Sequence, residues 1–269
     1  MSGHAFDAAI ALQPAGDNLF TGATSPAYAN MIGPYGGITA AQMINAVMLH
    51  PKRLGEPLSL TVNFAAALAD GAFTVEARPA RTNRSTQHWT LEIRQADGVV
   101  MTGTAVTAAR REIWSPSSDA MPAVPPVQDV PVVSRRSRVE WLNRYEVRSV
   151  EGSLPETWDG ADQEHSRTQV WVRDTPVRAL DFASLTALCD VFFPRIWLRR
   201  SKFTPVGTVS MTVYFHAGDA QLKAVGTGYL MAQAQAQAFH NGYFDQSAQM
   251  WNEQGQLLAT SHQIVYYKE

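Results

Sequence analysis

The chain has 269 residues, 45% of them hydrophobic and 17% charged, which is the composition of an ordinary globular protein with one large domain or two small ones. A net charge of −2 gives no electrostatic case for nucleic acid or an anionic membrane, and the single Cys189 excludes an intrachain disulfide framework and a CxxC metal site. No apolar run reaches the ~20 residues of a membrane span and the first residues do not read as a secretory leader, so the cytoplasm is the expected location.

Residues 6–30 alternate weakly between Gly and Pro punctuation and suit one or two short strands. Residues 35–49, opening Tyr-Gly-Gly-Ile-Thr-Ala, read as a buried helix that starts at Gly36 and Gly37 and stops before Pro51. Residues 58–64, 73–77, 86–94 and 99–108 alternate as strands, with Ala96-Asp97-Gly98 as a hairpin turn. Residues 115–133 hold five prolines and read as a semi-extended linker. It separates an N-terminal unit, 1–114, from a C-terminal unit, 134–269. In the second unit, 138–150 and 168–174 suit strands, and 153–166 a polar loop.

Residues 182–194 read as a helix apolar on nearly every side, hence buried, with one carboxylate, Asp190, in its last turn. Burying an unpaired carboxylate costs several kcal/mol or more, roughly, unless it is paired or its pKa moves. Strands follow to the C-terminus. Among them, alternating Ala and Gln over 232–238 places Ala on a close-packed face.

The two units repeat one pattern. Tyr35-Gly-Gly-Ile-Thr-Ala matches Phe182-Ala-Ser-Leu-Thr-Ala at an offset of 147 residues, residues 58–64 match 209–215 at 151, and the turn ending Gly98 matches the one ending Gly255 at 157. The duplication predicts an α+β fold in which two copies of a buried helix, each wrapped by about four antiparallel strands, pack as an internal pseudo-dimer. Polar residues found in one copy only are not needed for such a fold. Asp190 matches Met43, Thr208 matches Pro57 and Gln263 matches Val106. An acid, a hydroxyl and an amide together could hold one water molecule, with Asp190 as base. Nucleophile-elbow, phosphate-loop and HExxH signatures are absent. Val225-Gly-Thr-Gly228 lacks the third glycine of a dinucleotide fingerprint, His216 reads as a structural strand-end histidine, and Cys189 as core.

Tyr35-Gly36-Gly37 opening a buried helix, Arg81-Thr-Asn-Arg84-Ser85, Thr168-Gln-Val-Trp-Val-Arg173, a strand ending Tyr214-Phe215-His216, and Gly255-Gln-Leu-Leu-Ala259 followed by Gln263 resemble the acyl-CoA thioesterase II (TesB-like) family, of double hot-dog fold. The likeness spans roughly residues 30–110 and 165–267. It implies a thioesterase of lipid metabolism that needs no cofactor or metal. It also implies an acyl-CoA substrate, a hydrolytic water held by Asp190, Thr208 and Gln263, and room for a homo-oligomer. Ser210 and Met211 replace the family's Asp-His after the Thr, and Ile264-Val265 replaces its Glu-Gly after the Gln, which marks a divergent member. Backbone N–H groups at Gly36 and Gly37, or at the start of the second helix, are the expected oxyanion donors, and the acyl chain is expected between the copies. Arg195, Arg199, Arg200 and Lys202 are the candidate partners of CoA phosphates. Two other readings stay open: a double hot-dog protein that binds acyl-CoA without hydrolysing it, and a hot-dog hydratase or dehydratase.

Overall fold

A computed structural model describes residues 3–96, 98–116, 120–133 and 137–269. Asp97 of the expected hairpin turn and parts of the proline-rich stretch lie outside them. Among the described residues there are thirteen strands: β1 (Gln13–Pro14), β2 (Leu19–Ala23), β3 (Glu56–Phe64), β4 (Ala72–Thr82), β5 (Thr86–Gln95), β6 (Gly98–Ala108), β7 (Tyr145–Glu151), β8 (Thr168–Asp174), β9 (Val206–Phe215), β10 (Leu230–Gln235), β11 (Phe239–His240), β12 (Tyr243–Asn252) and β13 (Leu257–Tyr267). The helices are α1 (Ala5–Ala9), α2 (Gly36–Leu49), α3 (Phe182–Leu188), α4 (Arg195–Arg200) and α5 (Asp219–Val225).

The strands form one antiparallel sheet in the order β1-β2-β4-β5-β6-β3-β9-β13-β12-β10-β8-β7, with β11 added beside β12. That order reads as the same series outward from its centre, β3-β6-β5-β4-β2-β1 on one side and β9-β13-β12-β10-β8-β7 on the other. The two copies are thus related by a pseudo-two-fold axis at the β3–β9 contact. Thr61 pairs with Thr212 there, its own counterpart at the 151-residue offset, and their hydroxyls lie 3.0 Å apart. An isologous contact has this property on its axis. Arg110 binds the two copies from outside, donating to Pro57 O, Phe215 O and His216 O.

α2 and α3 pack against each other inside the sheet, as the double hot-dog expectation requires. α2 is buried from Gly37 to Val47 with few breaks, because its sequence offers no polar stripe. Small residues, Ala40 and Ala41, let the neighbouring elements come close; both have no exposed surface. The alternation of β10 holds: Ala232 and Ala234 are buried while Gln233 and Gln235 are not.

Several elements differ from the sequence expectation. The stretch expected as a helix over 182–194 is helical only to Leu188, and a separate short helix, α4, follows. Residues 5–9 and 219–225 are helical where strands or loops were expected; these helices are too short to show an apolar period. Residues 140–144 form a 3₁₀ turn ahead of β7. Part of the proline-rich segment is packed. Trp171, on the opposite face of β8 from Val170 and Val172, joins Val130, Tyr229, Met231 and Trp251 in a separate apolar cluster, and Met121, Val124 and Val127 cover it. Trp171 donates its indole N–H to Pro125 O at 3.0 Å. A proline-rich strap suits this role because extended segments leave their carbonyls free for side-chain donors.

Candidate active site

The site is built where α3 stops. The last carbonyls of a helix have no intrahelical partner, and here two of them are met from elsewhere: the Tyr35 hydroxyl donates to Ala187 O at 2.6 Å and Ser261 Oγ to Cys189 O at 3.3 Å. With its end satisfied in this way the chain turns at Cys189, and Asp190 lies just beyond the helix instead of in its last turn. Its carboxylate crosses to the other copy. Oδ2 lies 3.0 Å from where a Cβ on Gly36 would stand, and the Gly37 N–H at the start of α2 stabilises the charged form. A helix N-terminus attracts a carboxylate, so the dipole that disfavours a charge at the end of α3 is offset by the one at the start of α2.

The two glycines serve different contacts. A side chain at Gly36 would press on the Asp190 carboxylate, and one at Gly37 would fall within 2.5–2.6 Å of the Tyr35 ring. That ring cannot retreat easily, because it is stacked on Trp141 with centroids 4.1 Å apart.

Gln263, on β13, donates its side-chain amide to Asp190 Oδ1 at 2.8 Å, and the same nitrogen lies 3.5 Å from Met211 Sδ. Gln263 is 4% exposed, and Asp190 is partly buried. Thr208 reaches the same face through a β-bulge. The β9–β13 register runs Ser210 with Ile264 and then Thr208 with Val265, leaving Val209 as the extra residue. Without that residue Thr208 would point away from Gln263; with it, Thr208 shares the face of Val265 and Gln263. The first copy has its counterpart of this bulge at Leu58, between Pro57 and Ser59, which supports the pairing of Thr208 with Pro57.

The counterpart of Gln263 needs a correction. Met211 faces Gln263 and its equivalent, Leu60, faces Ala105, so Ala105 and not Val106 stands in that position. The reason is turn length. Six residue steps separate the register partners Trp251 and Leu257, whereas five separate Arg94 and Val99. The contrast between copies survives, since Ala105 is also apolar and is 2% exposed.

Burial pushes the Asp190 carboxyl up to about 7, against the opposing pull of the Gln263 bond and the Gly37 N–H. The group therefore exchanges a proton near neutral pH, as a general base must. Burial, with Asp190 adding to it, also pushes the Cys189 thiol well up, which keeps it an inert core thiol. His216 is lowered, first by burial, and its ring nitrogen sits 3.1 Å from Thr260 Oγ1, a structural arrangement.

The basic residues after Asp190 divide. Arg195 is fully buried. Its guanidinium bonds Ser166 O and Thr168 Oγ1 at 2.8 Å, Ala234 O at 3.4 Å and Phe193 O, which leaves nothing for an external phosphate and corrects the expectation for that residue. Arg200 and Arg199 reach Asp162 at 2.8 and 3.8 Å, and Lys202 is exposed. A surface cleft of about 520 Å³ beside α4 is lined by Glu156, Asp159 and Glu164 as well as Arg167 and His165; that acidic lining does not suit a polyphosphate. Among the described residues no group of His, Cys, Asp and Glu is arranged to hold a metal, and no helix is long and apolar enough to cross a membrane. The sequence gives no sign that Tyr35 and Ser261 bind the carbonyls at the end of α3. Tyr35 immediately precedes the glycine pair, and Ser261 lies two residues before Gln263 on the same face of the strand.

Comparison with known proteins agrees with this architecture. Residues 25–108 match the acyl-CoA thioesterase N-terminal domain and residues 117–267 the acyl-CoA thioesterase C-terminal domain. A hot-dog protein of unknown function from Alicyclobacillus acidocaldarius is 47% identical over 100% of this chain and 99% of its own, with a TM-score of 0.94. The acyl-CoA thioesterase II TesB2 of Mycobacterium marinum is 18% identical, covering 98% of both chains, with a TM-score of 0.77. The tesB protein of Mycobacterium avium subs paratuberculosis is 20% identical over 98% of both, with a TM-score of 0.76. At such identities the likeness speaks for the fold. No curated protein matched. The two domain matches together span both copies of the duplicated unit, and the chain belongs to the acyl-CoA thioesterase family.

Proposed function

We propose that this protein hydrolyses an acyl-CoA or a closely related acyl thioester at the junction of α3, β13 and the start of α2. The observation that carries this reading is the Asp190 carboxylate, partly buried and raised in pKa, held by Gln263 at 2.8 Å and facing a helix N-terminus of the other copy. Asp190 takes a proton from a water molecule as the water oxygen bonds to the thioester carbon. The carbon–sulfur bond then breaks, and the proton passes to the departing thiolate. Gln263 and Thr208 orient the water. With Gly37 occupied by Asp190, the Gly36 N–H is the first-turn donor for the developing oxyanion.

The test is release of free CoA from a panel of acyl-CoAs. Wild type turns over at least one of them, and Asp190→Ala and Gln263→Ala each lose most of that rate. If both variants keep wild-type turnover the assignment is wrong, and tight acyl-CoA binding without release would make the protein a binder.

Lys202 is exposed, and Arg199 and Arg200 are held only by the surface carboxylates Asp162 and Glu269, which a polyphosphate would displace, so these three are the candidates for the CoA phosphates. Changing all three to Ala should raise KM several-fold with little change in kcat, and added salt should shrink the difference, since exposed charges are screened within about 10 Å at ~0.1 M. An unchanged KM would place the CoA phosphates elsewhere.

A further inference from the structure

A second carboxylate lies inside the molecule. Asp174 ends β8 and faces Tyr145 across the β7–β8 ladder, so the two side chains share a face. Tyr28, from the 3₁₀ turn Pro26–Tyr28, packs edge-on to Tyr145 with ring centroids 6.4 Å apart. All three are buried, with 0% of Tyr28, 3% of Asp174 and 5% of Tyr145 exposed. Asp174 Oδ2 accepts the Ser184 hydroxyl at 2.5 Å. Asp174 Oδ1 and the hydroxyls of Tyr28 and Tyr145 have no hydrogen-bond partner among the described residues.

Each such buried group costs about 1–3 kcal/mol when unmet, and native interiors rarely keep one without a protein or water partner. Three in one place, drawn from β7, β8 and the turn before α2, have the chemistry of a binding site. The carboxylate oxygen accepts; each phenol gives or accepts. A single hydroxyl, donating to Asp174 and receiving from the two tyrosines, satisfies all three, as a buried water with two to four partners does. Burial also pushes Asp174 up to about 6.

The place has a fixed relation to Asp190. Ser184 lies in the first turn of α3 and Asp190 just past its end; the four helical steps from Ser184 to Leu188 alone span about 6 Å at ~1.5 Å per residue. Tyr145 bridges the interval: its ring meets Tyr28 on one side and Tyr35 on the other, at 6.2 Å, and the Tyr35 hydroxyl bonds the α3 carbonyl of Ala187. An aromatic wall therefore runs beside α3 from one carboxylate to the other.

We propose that Asp174, Tyr28 and Tyr145 form a second internal site that binds one hydroxyl group, either a resident water molecule or the hydroxyl on the far end of an acyl chain whose thioester lies at Asp190. The second source rests on the thioesterase reading; the first does not.

The experiment has two arms. One is a crystal structure of the free full-length protein at a resolution that shows ordered waters. The other compares CoA release from ω-hydroxyoctanoyl-CoA and octanoyl-CoA by wild type, Tyr145→Phe and Asp174→Asn. A density peak within about 3.2 Å of all three polar atoms, with equal turnover of the two substrates, assigns the site to water. A preference of ten-fold or more for the hydroxylated substrate, reduced towards parity in Tyr145→Phe through KM and not kcat, assigns it to the acyl hydroxyl. If Asp174→Asn fails to fold, Tyr145→Phe and the wild-type comparison still decide. If neither substrate is hydrolysed, the thioesterase reading fails for this pair while the crystal arm still judges the site. Absence of both the peak and the preference overturns the proposal.

Discussion

Asp190→Asn should keep the fold and lose turnover by a factor on the order of 10²–10⁴, the span that a positioned general base contributes. Asparagine preserves shape and can still meet Gln263, but it cannot take the proton from water. In the wild type, kcat/KM should rise tenfold per pH unit below the Asp190 pKa and level off above about 7, because the base works only when ionised. Gln263→Leu should move that limb to higher pH, since the lost amide had favoured the charged form. Stability carries the same signature with opposite consequence. The folded protein holds the Asp190 proton up to about 7, whereas an unfolded Asp releases it near ~3.9. Between those values the folded state binds more protons, so its stability is greatest at the acid end and falls as pH rises. Asp174, raised to about 6, adds to the fall below pH ~6. Urea unfolding at several pH values should show a shallower decline in Asp190→Asn than in the wild type. A variant with full turnover, or one with an unchanged pH slope, would remove Asp190 from the role of general base.

The parts of this architecture that were legible in the sequence are those set by period and repetition. Alternation placed β3, β5, β6 and β8 to within a residue or two, and the repeat of Thr-Val-Asn-Phe64 in Thr-Val-Tyr-Phe215 located the strands that meet on the pseudo-two-fold axis. The contrast between the copies also marks Asp190 and Gln263 in the sequence, because position 43 holds Met and position 105 or 106 an aliphatic residue. What stayed hidden depends on partners distant in sequence. Nothing local says that α3 ends at Leu188; its end is set by Tyr35 and Ser261, 152 and 72 residues away. A bulge at Val209 decides which way Thr208 points, and bulges leave little trace in a single strand. One residue of extra turn displaced the match of Gln263 from Ala105 to Val106. Proline content marks the strap over Trp171 as extended but carries no sign that Val130 is buried, and Met121, Val124 and Val127 packed, against a sheet.

The same distinction between local pattern and distant partner leads to the second large effect, which should be seen at Arg195. In sequence it opens a basic run; in the structure it is fully buried and faces carbonyl oxygens, with no carboxylate in its set of bonds. Arg195→Ala should lower folding stability by about 2 kcal/mol or more, because Ser166 O and Phe193 O lose this donor and each buried acceptor left unmet costs about 1–3 kcal/mol. Arg195→Met, which keeps much of the stem and removes the donors, should recover only the packing part of that loss. Arg195→Lys should stay destabilised, since one ammonium cannot reproduce a planar fork spread over several acceptors. The measurement is the urea midpoint: it should fall in all three variants, most in the alanine, with the slope of the transition unchanged. There is a catalytic consequence too. Residues 190–194 run from Asp190, the proposed base, to Arg195, and the guanidinium ties the end of that segment to β8 through Thr168 and to β10 through Ala234. Loosening the tie should lower kcat in conditions where the variant is fully folded, with KM less affected, because a base displaced by about 1 Å can cost ~10²-fold. An alanine variant as stable as wild type would mean that these carbonyls find water instead, and that the segment carrying Asp190 is held by Tyr35, Ser261 and Gln263 alone.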